Sequence, residues 1–139
     1  MKDVRLAVKN VLAANAAVLA LSAGRIFPGR VPQGELRDSV VYTRISEQAD
    51  YNMNEDSGLI NSRYQIDCYS LSQQLANDLS NACYDALTGF KGIVEYGTNS
   101  PRDTIEVTGI FLTTGRDLFE EGSNLFRVSR DYFVWYRAR

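Results

Sequence analysis

The chain contains no histidine. That removes the commonest general base, the commonest metal ligand and the orienting member of most catalytic triads together. It contains two cysteines, too few for a disulfide framework. Both fall at apolar positions of their elements, Cys68 in a strand and Cys83 in a helix, so buried thiols are the expectation, and spacing alone leaves a Cys68–Cys83 bridge open. Neither has a local motif that would activate it as a nucleophile. Acidic residues are dispersed, with no pair set in apolar surroundings that would raise one pKa. The sequence therefore argues against an enzyme, and no cofactor or metal is expected.

An excess of charge is missing too. Fifteen Lys and Arg stand against seventeen Asp and Glu, a net charge of −2. A sequence-tolerant nucleic-acid binder draws its affinity from displaced counterions and needs a basic surplus, so a DNA-gripping role is disfavoured. With three prolines and ten glycines in 139 residues, all scattered, nothing resembles a linker, repeat or low-complexity tract. One domain spanning residues 1–139 is expected, large enough for a single two-layer core. The one extended apolar run, Val11 to Leu21, follows Lys2, Arg5 and Lys9 and ends in Ala20-Leu21-Ser22-Ala23, mimicking a secretory signal. Asp3 and Asn15 interrupt that pattern, and the run is shorter than the roughly 20 residues that cross a bilayer. No membrane partner is expected.

What is present is patterning. Val4, Ala7, Val8, Val11 and Leu12 recur at helical spacing between Asp3 and Ala14. Asn15 is suited to cap a second short helix, which Gly24 would end. Arg25 to Phe27 reads as a short strand stopped by Pro28, followed by a turn-rich crossing through Gly29, Pro32 and Gly34. Val40 to Ile45 is strand-like. Glu47 to Asn61 is polar and acidic and reads as a long hairpin loop or extended arm able to reach another subunit. Tyr64, Ile66 and Cys68 alternate with Arg63, Gln65 and Asp67, which predicts a strand with one polar face. Ser70 or Ser72 would cap a helix running to Leu87, with Leu71, Leu75, Leu79, Ala82, Cys83 and Ala86 along one side and Gly89 closing it. Ile93 to Tyr96 and Thr104 to Thr113 predict strands around the turn cluster Gly97 to Pro101, and Gly115 to Asn124 reads as a loop before the last strand. The fold class is then α+β: an antiparallel or mixed sheet with helices packed on one face, in which only the middle helix could serve as a parallel crossover.

In the last strand Val128, Tyr132, Val134 and Tyr136 point one way and Phe133 and Trp135 the other. Helices can cover only one face. Phe133 and Trp135 therefore pack under a loop or meet a neighbouring subunit.

Two segments imitate ligand-binding motifs. Gly24 to Val31 has P-loop glycine spacing without its lysine and hydroxyl, and Pro28 deletes an amide the phosphate cradle would use. Asp50-Tyr51-Asn52-Met53-Asn54-Glu55 begins like a calcium loop, but Glu55 replaces the turn glycine and Asn61 the bidentate glutamate. A solvated acidic loop is the better reading.

The residues Ala14-Asn15-Ala16-Ala17-Val18-Leu19-Ala20-Leu21, Gly24-Arg25-Ile26-Phe27-Pro28, Pro32-Gln33-Gly34, Val40-Val41-Tyr42 and Gln65-Ile66-Asp67-Cys68-Tyr69, the helix Ala76 to Leu87 and the strand Arg127 to Tyr136 follow one another in an order that resembles the tail completion, or head-tail joining, proteins of long-tailed bacteriophages, a family that includes tail terminators. The departures are Ser39, where the family often has proline, and Gly97 to Asn124, which carries none of its motifs. The resemblance implies a structural virion protein, assembled in the host cytoplasm. It would form a ring with itself, commonly of six subunits, at the head-proximal end of the tail tube. It would contact the tail tube protein and the head connector or head-closure protein, and DNA would pass through without specific binding.

A ring needs two different patches per subunit. Phe133 and Trp135, with Tyr51 and Met53 on the arm, are the candidate interface residues; Glu47, Asp50, Glu55 and Asp56 are the candidates for the lumen or its rim. A head-closure or adaptor protein of the connector is the alternative within the same class. A small-ligand-binding domain whose pocket is lined by Tyr42, Tyr64 and Tyr69 is the alternative outside it.

Overall fold

The computed structural model describes residues 5–51, 56–95, 104–122 and 124–137. Helix α1 (Arg5–Ala13) buries Ala7, Val8, Val11 and Leu12, the stripe its spacing predicts. Asn15 then breaks the chain direction: its side-chain oxygen accepts from the amides of Ala17 and Val18 at 3.0 and 3.1 Å and starts α2 (Ala16–Ser22). The two helices meet at 90°, and among the described residues no single helix is long and apolar enough to cross a membrane. Helix α2 closes on Ala23 in the left-handed region at φ 52°, with Gly24 continuing at φ 81°.

The strands are β1 (Ile26–Pro28), β2 (Ser39–Tyr51), β3 (Asp56–Ser70), β4 (Gly92–Glu95), β5 (Thr104–Glu120) and β6 (Leu125–Arg137), with helix α3 (Gln73–Leu87) between β3 and β4. They form one six-stranded sheet in the order β1-β2-β3-β6-β5-β4. All pairs are antiparallel except β1 with β2. That parallel pair is joined by the crossing through Gly29 and Pro32 and not by α3, the one helix that could have served as a parallel crossover.

Two stretches expected to be loops are strands. Beyond Ile45, β2 continues to Tyr51 and pairs with β3 through Glu47↔Ser62, Gln48↔Asn61 and Ala49↔Ile60, with a bulge at Ile45. The arm is therefore a two-stranded ribbon. Likewise β5 runs through Gly115 to Glu120, paired with β6 as far as Glu120↔Leu125. Polar composition and a glycine suggested turns in both places, but the ladder with a long neighbouring strand overrides local propensity.

The register assigns faces. On one face lie Val40, Tyr42, Ile60, Tyr64, Ile66, Cys68, Ile105, Val107, Ile110, Tyr132, Val134 and Tyr136, and these form the main core with α1, α2 and α3. Tyr42 and Tyr64 are thus packing residues of the core, which removes the pocket that the ligand-binding alternative needed. On α3, Ser72 is the cap and Leu79, Cys83 and Leu87 are buried. Leu71 and Leu75, expected on the buried side, are instead exposed, Leu71 at 57%. Leu71 precedes the first helical residue, so the helical period never carried it inward. Arg130 of β6 holds α3 from below, donating to Asn81 Oδ1 at 2.9 Å and to the Ser80 carbonyl at 3.3 Å.

Candidate assembly surfaces

Among the described residues no helix covers the second face of the sheet. Its lower end is closed by a small cluster in which Phe27 and Val31 pack on Val41, Tyr69 and Leu125. Its centre is polar but well covered. Asp67 is 4% and Asp131 6% exposed, because longer neighbours lie over them. Gln65 donates to both oxygens of Asp67 at 3.1 and 2.9 Å, and Arg63 donates through Nε and Nη2 to Asp131 Oδ2 at 3.0 and 2.6 Å. The polar face read from the alternation is therefore real, although its carboxylates are not solvated.

The upper end is aromatic. Phe133 pairs across the ladder with Phe111, and Trp135 pairs with Gly109. The Phe111 ring lies over Gly109, so closely that a methyl group there would come within 2.8 Å of it. Glycine permits that approach, and the ring covers backbone that would otherwise be bare. Phe111 remains 52% exposed, while Phe133 and Trp135 are half-buried. The structure thus brings Phe133 and Trp135 onto the uncovered face, as the alternation indicated, and adds Phe111, which the sequence reading left in an unassigned strand.

The other candidate residues are distributed differently. Glu47 lies on the core side of the β2–β3 ribbon, opposite Phe133 and Trp135. Its carboxylate accepts from the Tyr136 hydroxyl and, at 2.9 Å, from Ser62 Oγ, and Arg44 Nη1 stands 3.6 Å away. It is a bonded structural group at the margin of the core. Burial, and then this bond to a carboxylate, push the Tyr136 hydroxyl well above the usual tyrosine pKa. Asp50 lies near the end of β2, and Tyr51 pairs with Asp56 where the ribbon closes. Met53 and Glu55, with most of the calcium-like segment, lie outside the described residues, as does the Gly97 to Pro101 turn.

The two thiols are free, buried and 3.8 Å apart. Contact with Cys83 and burial both raise the Cys68 pKa, which keeps that thiol protonated and unreactive. Among the described residues there is no group of three or more carboxylate or thiol side chains that could hold a metal. An apolar groove of about 410 Å³ lies between α1, α3 and β4 beside Val11, Phe90 and Val94; Asn10 Nδ2 crosses it to donate to the Glu95 carbonyl at 2.8 Å.

Among the described residues, both long outer strands also have unpaired edges. Strand β1 reaches only Val40 to Tyr42 of β2, and β4 reaches only Thr104 to Val107 of β5. Past those points β2 from Thr43 and β5 from Phe111 have a strand on one side alone. Every residue from Phe111 to Asp117 is exposed. Monomers shield such edges with proline, inward charge or a covering loop. Edges of this kind are the ones that a subunit pairing with further chains would present.

Comparison with known proteins agrees with that class. Residues 7–137 match the family described as tail completion protein gp17, and the chain belongs to that family of bacteriophage tail completion proteins. It is a structural component of the virion tail. A chain from a solved structure titled "Virion of native gene transfer agent (GTA) particle" shares the fold, with a TM-score of 0.67 at 17% identity, covering 95% of this chain and 92% of that one. No curated protein matches.

Proposed function

We propose that the protein forms a closed ring, of six copies, on the head-proximal end of the tail tube. There it ends tube growth and presents a docking surface to the head connector or head-closure protein. The observation that carries this reading is the family match over nearly the whole chain. A chain of the same fold in a gene transfer agent virion supports it. The open edges and the aromatic patch supply physical means, since a ring needs two unlike surfaces per subunit and a rotation that closes. Assembly of this kind requires no catalytic step.

In such a ring the closing end of the β2–β3 ribbon, with Asp50 and Asp56, stands at the lumen or its rim, where acidic groups would let DNA slide past without being gripped. Glu47 joins them only at its margin, its carboxylate being committed to Tyr136 and Ser62. Phe133 and Trp135 serve as a contact surface. DNA passes through without specific binding.

The test is electron microscopy of particles assembled with the gene silenced. Overlong tubes without heads support the terminating role. Tubes of normal length detached from filled heads would move the protein to the head-closure side. Normal intact virions would overturn the proposal.

A further inference from the structure

The two open edges are complementary to each other. Three successive antiparallel pairings separate β2 from β5, so the two strands run in opposite directions. Copies standing side by side in one orientation, as in a ring, would bring β5 of one against β2 of the next as an antiparallel pair.

We propose that neighbouring subunits join by pairing the β5 edge, Leu112 to Leu118, with the β2 edge, Thr43 to Ala49, of the partner subunit, in a register that sets Asp117 opposite Arg44 of the partner subunit. This rests on the ring reading above and deepens it by naming the joint.

The register follows from three constraints. A one-residue slip would turn side chains onto the wrong faces, so only even slips compete. In the chosen register, with Ile45 and Thr113 left in the bulges that β2 and β5 already carry, Leu118 meets Thr43 of the partner subunit, Arg116 meets Ser46 of the partner subunit and Leu112 meets Ala49 of the partner subunit. Gly115 meets Glu47 of the partner subunit and has no side chain to disturb the Tyr136 bond. Sliding two places one way sets Asp117 against Glu47 of the partner subunit, and directly opposed like charges are unfavourable. Sliding two places the other way drives the ladder onto Ile110, whose carbonyl already accepts from the Gly89 amide at 2.9 Å.

The third constraint is closure. Within one chain Val41, Asp67, Ser129 and Arg116 lie in a single row across four strands. At the joint that row reaches Ser46 of the partner subunit, which with the bulge discounted lies four ladder positions above Val41. The stagger is about one residue per strand, the ratio of an eight-stranded barrel of shear eight, whose strands tilt by about 36°. The register chosen on charge therefore gives the stagger at which sheets close.

The experiment is cysteine cross-linking of the full-length protein with Gln48→Cys and Thr114→Cys combined, under mild oxidation, beside native mass spectrometry. A ladder of covalent oligomers ending at the ring size is expected from the double variant and none from either single variant, since Cys68 and Cys83 are buried. Asp117→Arg should raise the half-assembly concentration by about two- to fivefold per interface, and adding Arg44→Asp should restore it. Circular dichroism confirms that each variant folds. Rings that form without a cross-link or charge rescue would overturn the edge pairing and leave the ring reading standing. No oligomer, alone or on purified tail tubes, would overturn both.

Discussion

The guanidinium of Arg63 on β3 reaches diagonally across the uncovered face to Asp131 on β6 and places two donors on one carboxylate oxygen, at 3.0 and 2.6 Å. The exposures are unequal, 38% for the Arg63 side chain and 8% for that of Asp131. Loss of Arg63 would strand a covered carboxylate, whereas loss of Asp131 would leave a guanidinium that water can reach. Arg63→Ala should therefore cost about 2–3 kcal/mol and Asp131→Ala about 1 kcal/mol in urea unfolding. The double variant should cost less than the two together. Equal single costs would show that the pair is solvent-screened.

Glu47 accepts from both Tyr136 and Ser62, so Glu47→Ala leaves two hydroxyls without their acceptor and should lower stability by about 1–3 kcal/mol. Glu47→Gln keeps an acceptor and should retain most of it. If Ala and Gln variants unfold at the same denaturant concentration, the carboxylate is not held as described.

Trp135→Ala should weaken oligomer formation more than it weakens the subunit. A fall of no more than about 3 °C in the melting temperature of dilute protein, with a clear loss of the oligomer by light scattering, is the expected result. A large loss of monomer stability would make Trp135 an ordinary part of the fold.

Alkali should unfold the protein through its buried hydroxyls. Burial raises the pKa of Tyr132 and Tyr136, and contact with Cys83 together with burial raises that of Cys68. An acid whose folded pKa lies above its unfolded value stabilises the fold fully below the unfolded value. That contribution is lost as pH climbs towards the folded one. Stability should thus hold to about pH 8.5 and then fall, by up to about 1.4 kcal/mol per pH unit for each group engaged. A melting temperature flat to pH 11 would contradict this.

Much of the fold was legible in the sequence because its signals were local. The stripe of α1, the Asn15 cap and the alternation that divides Tyr132, Val134 and Tyr136 from Phe133 and Trp135 each depend on residues a few positions apart. The long outer strands were not legible. Nothing near Gly115 or Gln48 announces a strand; each is held extended by a partner far along the chain, Arg130 and Asn61 respectively. Of the candidate contact residues, Phe133 and Trp135 could be found by alternation, whereas Phe111 needed the pairing that sets it beside Phe133. The Glu47 bond to Tyr136 spans 89 positions, and no local pattern encodes it.

Both thiols should resist alkylation in the native protein and react at once in denaturant, giving two labels per chain by mass spectrometry. Native labelling of Cys68 would mean that α3 opens from the sheet on the experimental timescale.

Strand β6 lies between β3 and β5 yet follows both in sequence. During synthesis the two halves of the sheet cannot be joined until β6 has emerged, so the order of translation delays completion of the sheet. Until then the β2 and β5 edges have no fixed relation to one another. In the proposed ring, a growing chain would thereby be kept from assembling before it is a finished subunit, a safeguard written into strand order rather than into any single residue.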